Sequence, residues 1–268
     1  MAFVFPRAFL LLLATGAGSF GAPRVLLTKP VHLGVAGAPE WAEFASDKNP
    51  PSRIDLAFDA EPNATEGTLF IRQREVKQEW IVELNSRRIG KLFLMETALV
   101  QTLPVPAGIL KATGNTLAIF RAGTGLADDI VIEEVTLDSR TKADTRAAAT
   151  LAIVASQEND ADLPCRITIM DNRGSLAAIW DAQENVGATP LPLAIRPGVV
   201  YTAAGRARVA VAPGDYTVVA SRGFEWSVAR QQITVASGAT ANVSLRLQRE
   251  VSTPNLVACD THIHTFTF

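Results

Sequence analysis

The sequence has few of the residues that cross-link a chain or chelate metals, and it has little net charge. Its 268 residues include two cysteines and three histidines, and the net charge is −2. Cys165 and Cys259 cannot form the disulfide framework of a small secreted domain, so they are either two buried thiols or one bridge. Acidic and basic residues are interleaved, without the basic stripe that non-specific nucleic-acid binding needs. We therefore expect no nucleic-acid partner.

Long hydrophobic runs are also missing. The first residues, MAFVFPRAFLLLLATGAGSFGAPR, contain one apolar run, Ala8–Ala14, far short of the roughly 20 residues that span a bilayer. Arg7 precedes this run and small residues at 17, 19 and 21 follow it, as in a secretory signal. The sequence predicts a signal peptide over 1–22, a secreted or periplasmic protein and no membrane span. The alternative is an ordinary buried N-terminal segment.

Short apolar runs with a period of two residues fill the region after residue 53. TLFIRQREV, EWIVELN, NTLAIFR and DDIVIEEVTL each have the length of a strand, and turn residues such as Asn85–Arg87 and Pro104–Gly108 separate them. A helical turn is predicted only near Glu40–Ala45. Short strands without a long amphipathic helix indicate an antiparallel β-sandwich over 23–140.

A polar, alanine-rich break over Asp138–Ala149 precedes a second series of strands. CRITIMD, RARVAVAPGDYTVVAS and ANVSLRLQ alternate apolar and polar residues, which is typical of half-buried strands. They predict a second sandwich over 148–249. The predicted fold class is mainly β, with two consecutive antiparallel β-sandwich domains.

The last residues, LVACDTHIHTFTF over 256–268, place Asp260, His262 and His264 at alternate positions. On an extended strand these side chains share one face. A carboxylate and two imidazoles on one face can converge on a divalent cation. The alternative is a histidine pair on an exposed strand. His32, the remaining histidine, is expected to be a solvated surface residue.

The DTHIHT motif, after its apolar run, resembles the D-x-H-x-H first motif of the PHP (polymerase and histidinol phosphatase) superfamily. The signal, sandwiches and motif together are similar to secreted CehA/McbA-type metallohydrolases. That resemblance implies His262 and His264 as ligands of a divalent metal (Zn, Mn or Fe), with Asp260 as a nearby acidic partner. In that family a distorted α/β barrel with two or three metals activates water for phosphoester or related hydrolysis.

The resemblance also implies that the family's later motifs lie beyond residue 268. The chain is then expected to be the N-terminal accessory portion of such a hydrolase, with the barrel beginning over 256–268. Its partner would be the missing C-terminal catalytic domain. No competent catalytic centre is expected in this chain alone, because a hydrolytic metal site uses three or more protein ligands with an open water position.

Each predicted sandwich carries a resemblance of its own. The first, with Trp80, Leu84–Asn85 and Gly90, resembles galactose-binding-like jelly rolls, some of which bind sugars through loop aromatics. Trp80 falls within a predicted strand and is expected to pack in the core. The second, with the Pro213–Gly214 turn and Tyr216, resembles carboxypeptidase-regulatory-like or transthyretin-like modules, and the resemblance implies that Tyr216 is a core aromatic. The competing interpretations are therefore a secreted carbohydrate-binding or adhesion module with an incidental histidine pair, and a secreted scaffold.

Two short segments have open interpretations. Asp128–Asp129 is expected to be a turn with two solvated acids, or part of a structural calcium site. Ser221–Trp226 is expected to be a strand with an aromatic core face and a surface ion pair between Arg222 and Glu225. Its alternative is a contact surface for the catalytic domain.

Overall fold

The computed structural model describes residues 22–37, 39–47, 49–123, 127–146, 148–159, 161–182 and 193–255. Within these ranges the chain is almost entirely β-sheet and forms two sandwiches, which confirms the predicted fold class. The predicted signal peptide over 1–22 lies outside the described residues except for residue 22, and the segment 256–268 lies outside them entirely, so both stay predictions. Among the described residues, no helix is long and apolar enough to cross a membrane.

The first sandwich contains nine of the strands in the described ranges. In chain order these are β1 (Arg24–Leu27), β2 (Val31–Leu33), β3 (Arg53–Phe58), β4 (Gly67–Arg74), β5 (Trp80–Leu84), β6 (Arg87–Lys91), β7 (Leu99–Val105), β8 (Asn115–Arg121) and β9 (Ile130–Asp138). One sheet has the order β1-β9-β4-β7, with β2 also paired to β9, and the other has the order β3-β8-β5-β6. A 3-10 turn, Ala42–Phe44, lies where a helical turn is predicted.

The core of the first sandwich lies between these sheets. Trp80, Leu69, Ile71 and Ile132 are almost inaccessible to solvent, which confirms the prediction that Trp80 packs in the core. Pro104 was predicted to be in a turn but lies within β7. The β7 strand is at the edge of its sheet, where a proline costs no ladder hydrogen bond.

The second sandwich follows the short helix α1 (Lys142–Arg146). Its described strands are β10 (Ala149–Ser156), β11 (Cys165–Asp171), β12 (Trp180–Asp181), β13 (Leu193–Arg196), β14 (Val199–Thr202), β15 (Arg206–Val211), β16 (Gly214–Ser221), β17 (Ala229–Val235) and β18 (Thr240–Arg246). One sheet has the order β12-β15-β10-β18 and the other has the order β13-β14-β11-β16-β17. Strands β10 and β18 pair in parallel, so this sandwich departs from the purely antiparallel prediction.

Alternating burial along these strands follows the predicted faces. Cys165, Ile167 and Ile169 of β11 are buried while Arg166 is exposed. Tyr216 is buried at the start of β16, and its hydroxyl donates to the carbonyl of Ala212 at 2.7 Å. The predicted role of Tyr216 as a core aromatic is therefore confirmed.

The two sandwiches contact each other directly. Leu99 of the first packs with Leu176 and Val199 of the second in a small buried apolar cluster. Two backbone hydrogen bonds lie beside this cluster. The amide of Val100 donates to the carbonyl of Leu176 at 2.9 Å, and the amide of Leu176 donates to the carbonyl of Ala98 at 2.8 Å. Apolar packing and hydrogen bonds of this kind limit independent movement of two units.

Candidate functional site

The predicted metal ligands Asp260, His262 and His264 lie outside the described residues. Within the residues that the structure does describe, no group of three or more His, Cys, Asp or Glu side chains is arranged to hold a metal ion. The donor set of the motif, two imidazoles and a carboxylate, suits a divalent transition metal. A hydrolytic metal centre uses three or more protein ligands and an open water position, so this donor set fits such a metal only as part of a larger ligand set.

A polar cleft lies between the two sandwiches. Its volume is about 380 Å³, and both β-sandwiches line it. The first sandwich contributes residues mainly from β4 and β9, and the second contributes the end of β11 and the β15–β16 turn. Its charged side chains are two bases and three acids: Arg72, Arg140, Glu134, Asp138 and Asp171. Clefts at the junction of two folded units are common positions for ligand sites.

Arg72 is the more deeply buried of the two bases in this cleft. Its Nη1 lies 2.5 Å from Oδ2 of Asp171, and only 9% of the Arg72 side chain and 15% of the Asp171 side chain are exposed. The angle of this contact is not that of a hydrogen bond, and neither Nε nor Nη1 of Arg72 has a hydrogen-bond acceptor. The pair therefore joins the sandwiches through charge, and it leaves buried donors unsatisfied.

The remaining cleft residues are held in place by the protein itself. Arg140 donates from Nε and Nη2 to the carboxylate of Asp138, and these hydrogen bonds raise the pKa of Arg140 above its ordinary value. Burial, and to a lesser extent the Asp171 carboxylate, raises the pKa of Tyr216 well above its usual range. Tyr216 thus remains a neutral phenol and can offer aromatic surface but no phenolate.

His32 does not lie at the solvated surface, so that prediction was wrong. Only 12% of its side chain is exposed. Nδ1 lies 2.8 Å from Asp47 and Nε2 lies 3.3 Å from Asp129, while the ring of Phe44 stacks on the imidazole at 3.9 Å between centroids. The imidazole therefore ties the 3-10 turn to the sheet. Its two nitrogens are both engaged, which argues for a structural role.

The expectation that Asp128 and Asp129 are solvated acids was also wrong. Asp128 is fully buried and Asp129 is 3% exposed. The Asp128 carboxylate accepts from Nε1 of Trp80 at 2.8 Å and from the backbone amide of Gln78 at 2.9 Å. Asp129 accepts from the backbone amide of Glu40. The chain's own donors thus satisfy these carboxylates.

Ser221 ends β16 and the residues that follow it form a turn, so the prediction of a strand over Ser221–Trp226 was wrong beyond Ser221. Arg222 and Glu225 do not pair with each other as predicted. Arg222 donates to the carbonyl of Pro164, and its guanidinium lies 5.7 Å from the ring centroid of Trp226. Glu225 instead faces Arg249 at 3.9 Å. Phe224 protrudes with 99% of its surface exposed.

Sequence reasoning did not find the cleft. Arg72 lies inside β4 and Asp171 is the last residue of β11, and nothing in their local pattern shows that they meet. The one available signal was a charged residue inside the apolar run TLFIRQREV, because a charge in a buried strand requires a partner.

Comparisons with known proteins give weak similarities only. No protein-family model matches the chain, and no curated protein matches it. Among solved structures, the Bacillus anthracis TIE protein is 11% identical with a TM-score of 0.27, covering 88% of this chain and 42% of that one. A Faecalibacterium prausnitzii beta-glucuronidase is 10% identical with a TM-score of 0.27, covering 88% of this chain and 50% of that one.

A glycosyl hydrolase family 2 member from Bacteroides cellulosilyticus is 8% identical with a TM-score of 0.27, covering 82% of this chain and 38% of that one. The chain therefore spans half or less of the length of each of these structures. Similarities at this level carry no argument about what the chain binds or does.

Proposed function

We propose that this chain is the accessory β-sandwich region of a metal-dependent hydrolase of the PHP type. Asp260, His262 and His264 would form the first metal-binding motif of that enzyme. The observation that carries the proposal is the Asp-x-His-x-His alternation in an apolar run that directly follows a docked pair of sandwiches. The two sandwiches would hold the motif in position for a catalytic domain.

The described residues support a positioning role. The Leu99–Leu176–Val199 cluster and the Arg72–Asp171 pair fasten the two sandwiches together. Ionisable groups such as His32 and Asp128 are hydrogen-bonded to other side chains of the first sandwich. In the complete site, a bound metal would activate water as a Lewis acid. The role of this chain would be to contribute imidazole and carboxylate donors, with the two joined sandwiches as their support.

Calorimetric titration of the full chain with Zn²⁺ and with Mn²⁺ tests the proposal. We expect one weak site, because the motif supplies at most three donors. His262→Ala and His264→Ala should each abolish the binding heat. Thr261→Ala and Thr265→Ala are matched controls, since these residues alternate with the proposed ligands, and should leave binding unchanged. The absence of binding, or binding that survives His262→Ala, would refute the proposal.

As a second candidate function, we propose that the cleft between the sandwiches binds a neutral saccharide. The observation favouring it is that both charged and aromatic side chains line the cleft. Two guanidinium groups and three carboxylates can donate to and accept from hydroxyls, while Phe70 and Tyr216 add aromatic surface of the kind that packs on apolar faces. The excess of acids disfavours an anionic ligand. The volume of about 380 Å³ suits a small ligand.

A glycan array followed by titration of the best ligand tests this second function. Thr136 lines the cleft, so Thr136→Phe should fill it and weaken binding by at least about tenfold. Thr240→Phe is the control, because Thr240 is exposed on β18 in another part of the second sandwich. Saccharide binding that Thr136→Phe leaves intact would exclude the cleft, and an array without a ligand would exclude the function.

A further inference from the structure

One side of the sheet β13-β14-β11-β16-β17 in the second sandwich faces solvent. Arg166 of β11 lies opposite Tyr201 of β14 and Ser221 of β16, and Arg230 of β17 lies opposite Val219 of β16. Alternate residues of a strand share a face, so Val219 and Ser221 place Arg166 and Arg230 on the same side. Arg166, Tyr201 and Arg230 are exposed, while the opposite side of the sheet packs in the hydrophobic core. We call the side that carries Arg166, Tyr201 and Arg230 the outer face.

The charged side chains of these five strands are mostly basic. The strands contain three arginines, Arg166, Arg196 and Arg230, and two acids, Asp171 and Asp215. Asp171 is already paired with the arginine of the cleft. Asp215 accepts a hydrogen bond at 2.6 Å from a threonine hydroxyl of β17, at the end of the outer face remote from Arg166. Because the net charge of the whole chain is −2, this positive charge is a local property of the outer face.

The guanidinium groups of Arg166 and Arg230 are available to a ligand. Within the described part of the chain, no acid forms an ion pair with either of them, and the contact between the sandwiches covers Val199 on this side but leaves both arginines exposed. Tyr201 is 41% exposed, and the guanidinium of Arg196 lies 5.9 Å from its ring centroid. The outer face therefore offers donors for anions beside an accessible aromatic ring.

The spacing of the two arginines indicates which kind of anion fits. Arg230 lies two strands away from Arg166 and two residues further along the sheet, which separates their Cα atoms by about 12 Å. This distance is close to the length of a disaccharide, and hence to the carboxylate spacing in a polysaccharide with one uronic acid per disaccharide. Phosphates of a nucleic acid follow one another at about 3.4 Å along each strand, which is much denser than the arginines.

A polar groove continues the outer face beyond Arg230. Its volume is about 380 Å³, and Thr217, Gln232 and Thr234 are among the residues that line it. Gln232 and Thr234 follow Arg230 at alternate positions on β17, and both are exposed. Hydroxyl and amide side chains both donate and accept hydrogen bonds, as the hydroxyls of a sugar do. The groove therefore suits the uncharged part of a saccharide.

We propose that the outer face binds an acidic polysaccharide with one uronic acid per disaccharide. Arg166 and Arg230 bind successive carboxylates, Tyr201 packs on the apolar face of a sugar ring, and the polar groove binds hydroxyls. This site is separate from the cleft between the sandwiches, where the excess of acids disfavours an anionic ligand.

Calorimetric titration of the full chain with a hyaluronan octasaccharide, which carries one carboxylate per disaccharide, tests the proposal. EDTA is present, so the result is independent of the metal motif. Arg166→Gln and Arg230→Gln should each weaken binding by about tenfold or more, because each removes a hydrogen bond to a charged group. Both variants should keep the urea midpoint of the wild type, since the two side chains are exposed. Arg246→Gln is the matched control, because it removes the same charge from an exposed position on β18, in the other sheet of this sandwich, and it should leave binding unchanged.

Two further probes identify the ligand class and the site. A chitin oligosaccharide, which has similar sugar rings without carboxylates, should bind at least about tenfold more weakly than hyaluronan. Thr136→Phe, which fills the cleft, should leave hyaluronan binding unchanged, so this proposal and the saccharide site in the cleft can fail separately. The proposal would be overturned if hyaluronan did not bind, if Arg246→Gln weakened binding as much as Arg230→Gln, or if Thr136→Phe abolished it. Equally tight binding of an oligothymidylate would also overturn it, because the outer face would then be a general polyanion site.

Discussion

Replacing Asp171 with asparagine should destabilise the protein by about 3 kcal/mol, because the buried guanidinium of Arg72 would lose its counter-charge. The side chains of Arg72 and Asp171 are 9% and 15% exposed, so solvent screens the pair little. At a charge separation of about 4 Å and an effective dielectric constant of about 20, the Coulomb attraction is about 4 kcal/mol. Because the contact is poorly aligned for a hydrogen bond, we expect the loss of unfolding free energy to be smaller than this Coulomb attraction.

Asparagine is the informative replacement because Asp171 has a second role. Its Oδ1 accepts from the backbone amides of Arg173 at 2.9 Å and Ser175 at 3.0 Å. The asparagine oxygen can keep these turn contacts. Its NH2 group then faces Arg72, and both groups can only donate hydrogen bonds. Asp171→Asn therefore removes the charge and retains the turn.

Urea unfolding followed by tryptophan fluorescence measures the effect. A double-mutant cycle with Arg72→Met should give a coupling energy of about 2 kcal/mol, since the two groups are in contact. Because the pair joins the two sandwiches, Asp171→Asn should also move the urea midpoints of their unfolding transitions further apart. A loss below about 0.5 kcal/mol, which is typical of an exposed ion pair, would refute the reasoning.

Three further predictions concern buried groups. Asp128→Asn should lower the free energy of unfolding by about 2–3 kcal/mol, because one asparagine oxygen can still accept from Nε1 of Trp80, but the charge is lost and the buried NH2 group faces the Lys77 amide, which is also a donor; an unchanged urea midpoint would contradict it. Burial raises the pKa of the Cys165 thiol to about 11, against the smaller opposing effect of Arg222. Alkylation of Cys165 at pH 8, followed by peptide mass spectrometry, should therefore be about a hundredfold slower in the native protein than in urea, and equal rates would contradict burial. Gly198→Ala should cost more than about 2 kcal/mol, since its φ is +64° and an added Cβ would lie 2.5 Å from Cβ of Leu176; a melting temperature within about 1 °C of wild type would exclude this clash.

Much of the fold could be predicted because strand periodicity is a local property. The alternation in CRITIMD predicts the buried face of β11, and the residues Asn85 and Ser86 predict the turn between β5 and β6, where both have positive φ. The parallel pairing of β10 with β18 could not be predicted in this way. Each strand shows the same alternation whether its neighbour runs parallel or antiparallel, so pairing depends on the path of the whole chain.

The polar contacts were the least predictable feature. His32 and Asp129 are 97 positions apart, and a histidine with no motif around it has the sequence appearance of a surface residue. Asp128 and Asp129 look like a solvated turn for the same reason. Their burial depends on donors supplied by distant segments, including the indole of Trp80 and the backbone of Glu40. A buried carboxylate is tolerated only where such donors converge.

The sequence by itself determined the mainly β class, the strands with alternating faces and the Asp-x-His-x-His motif that underlies the proposed function. These properties depend on residue type and spacing over a few positions. Only the tertiary structure decided that the sandwiches meet through the Arg72–Asp171 pair and that a cleft forms between them. It alone decided that Phe224 is almost fully exposed in the turn after β16. The physical reason is that burial and charge pairing are properties of surfaces brought together by folding, and local sequence does not specify which surfaces meet.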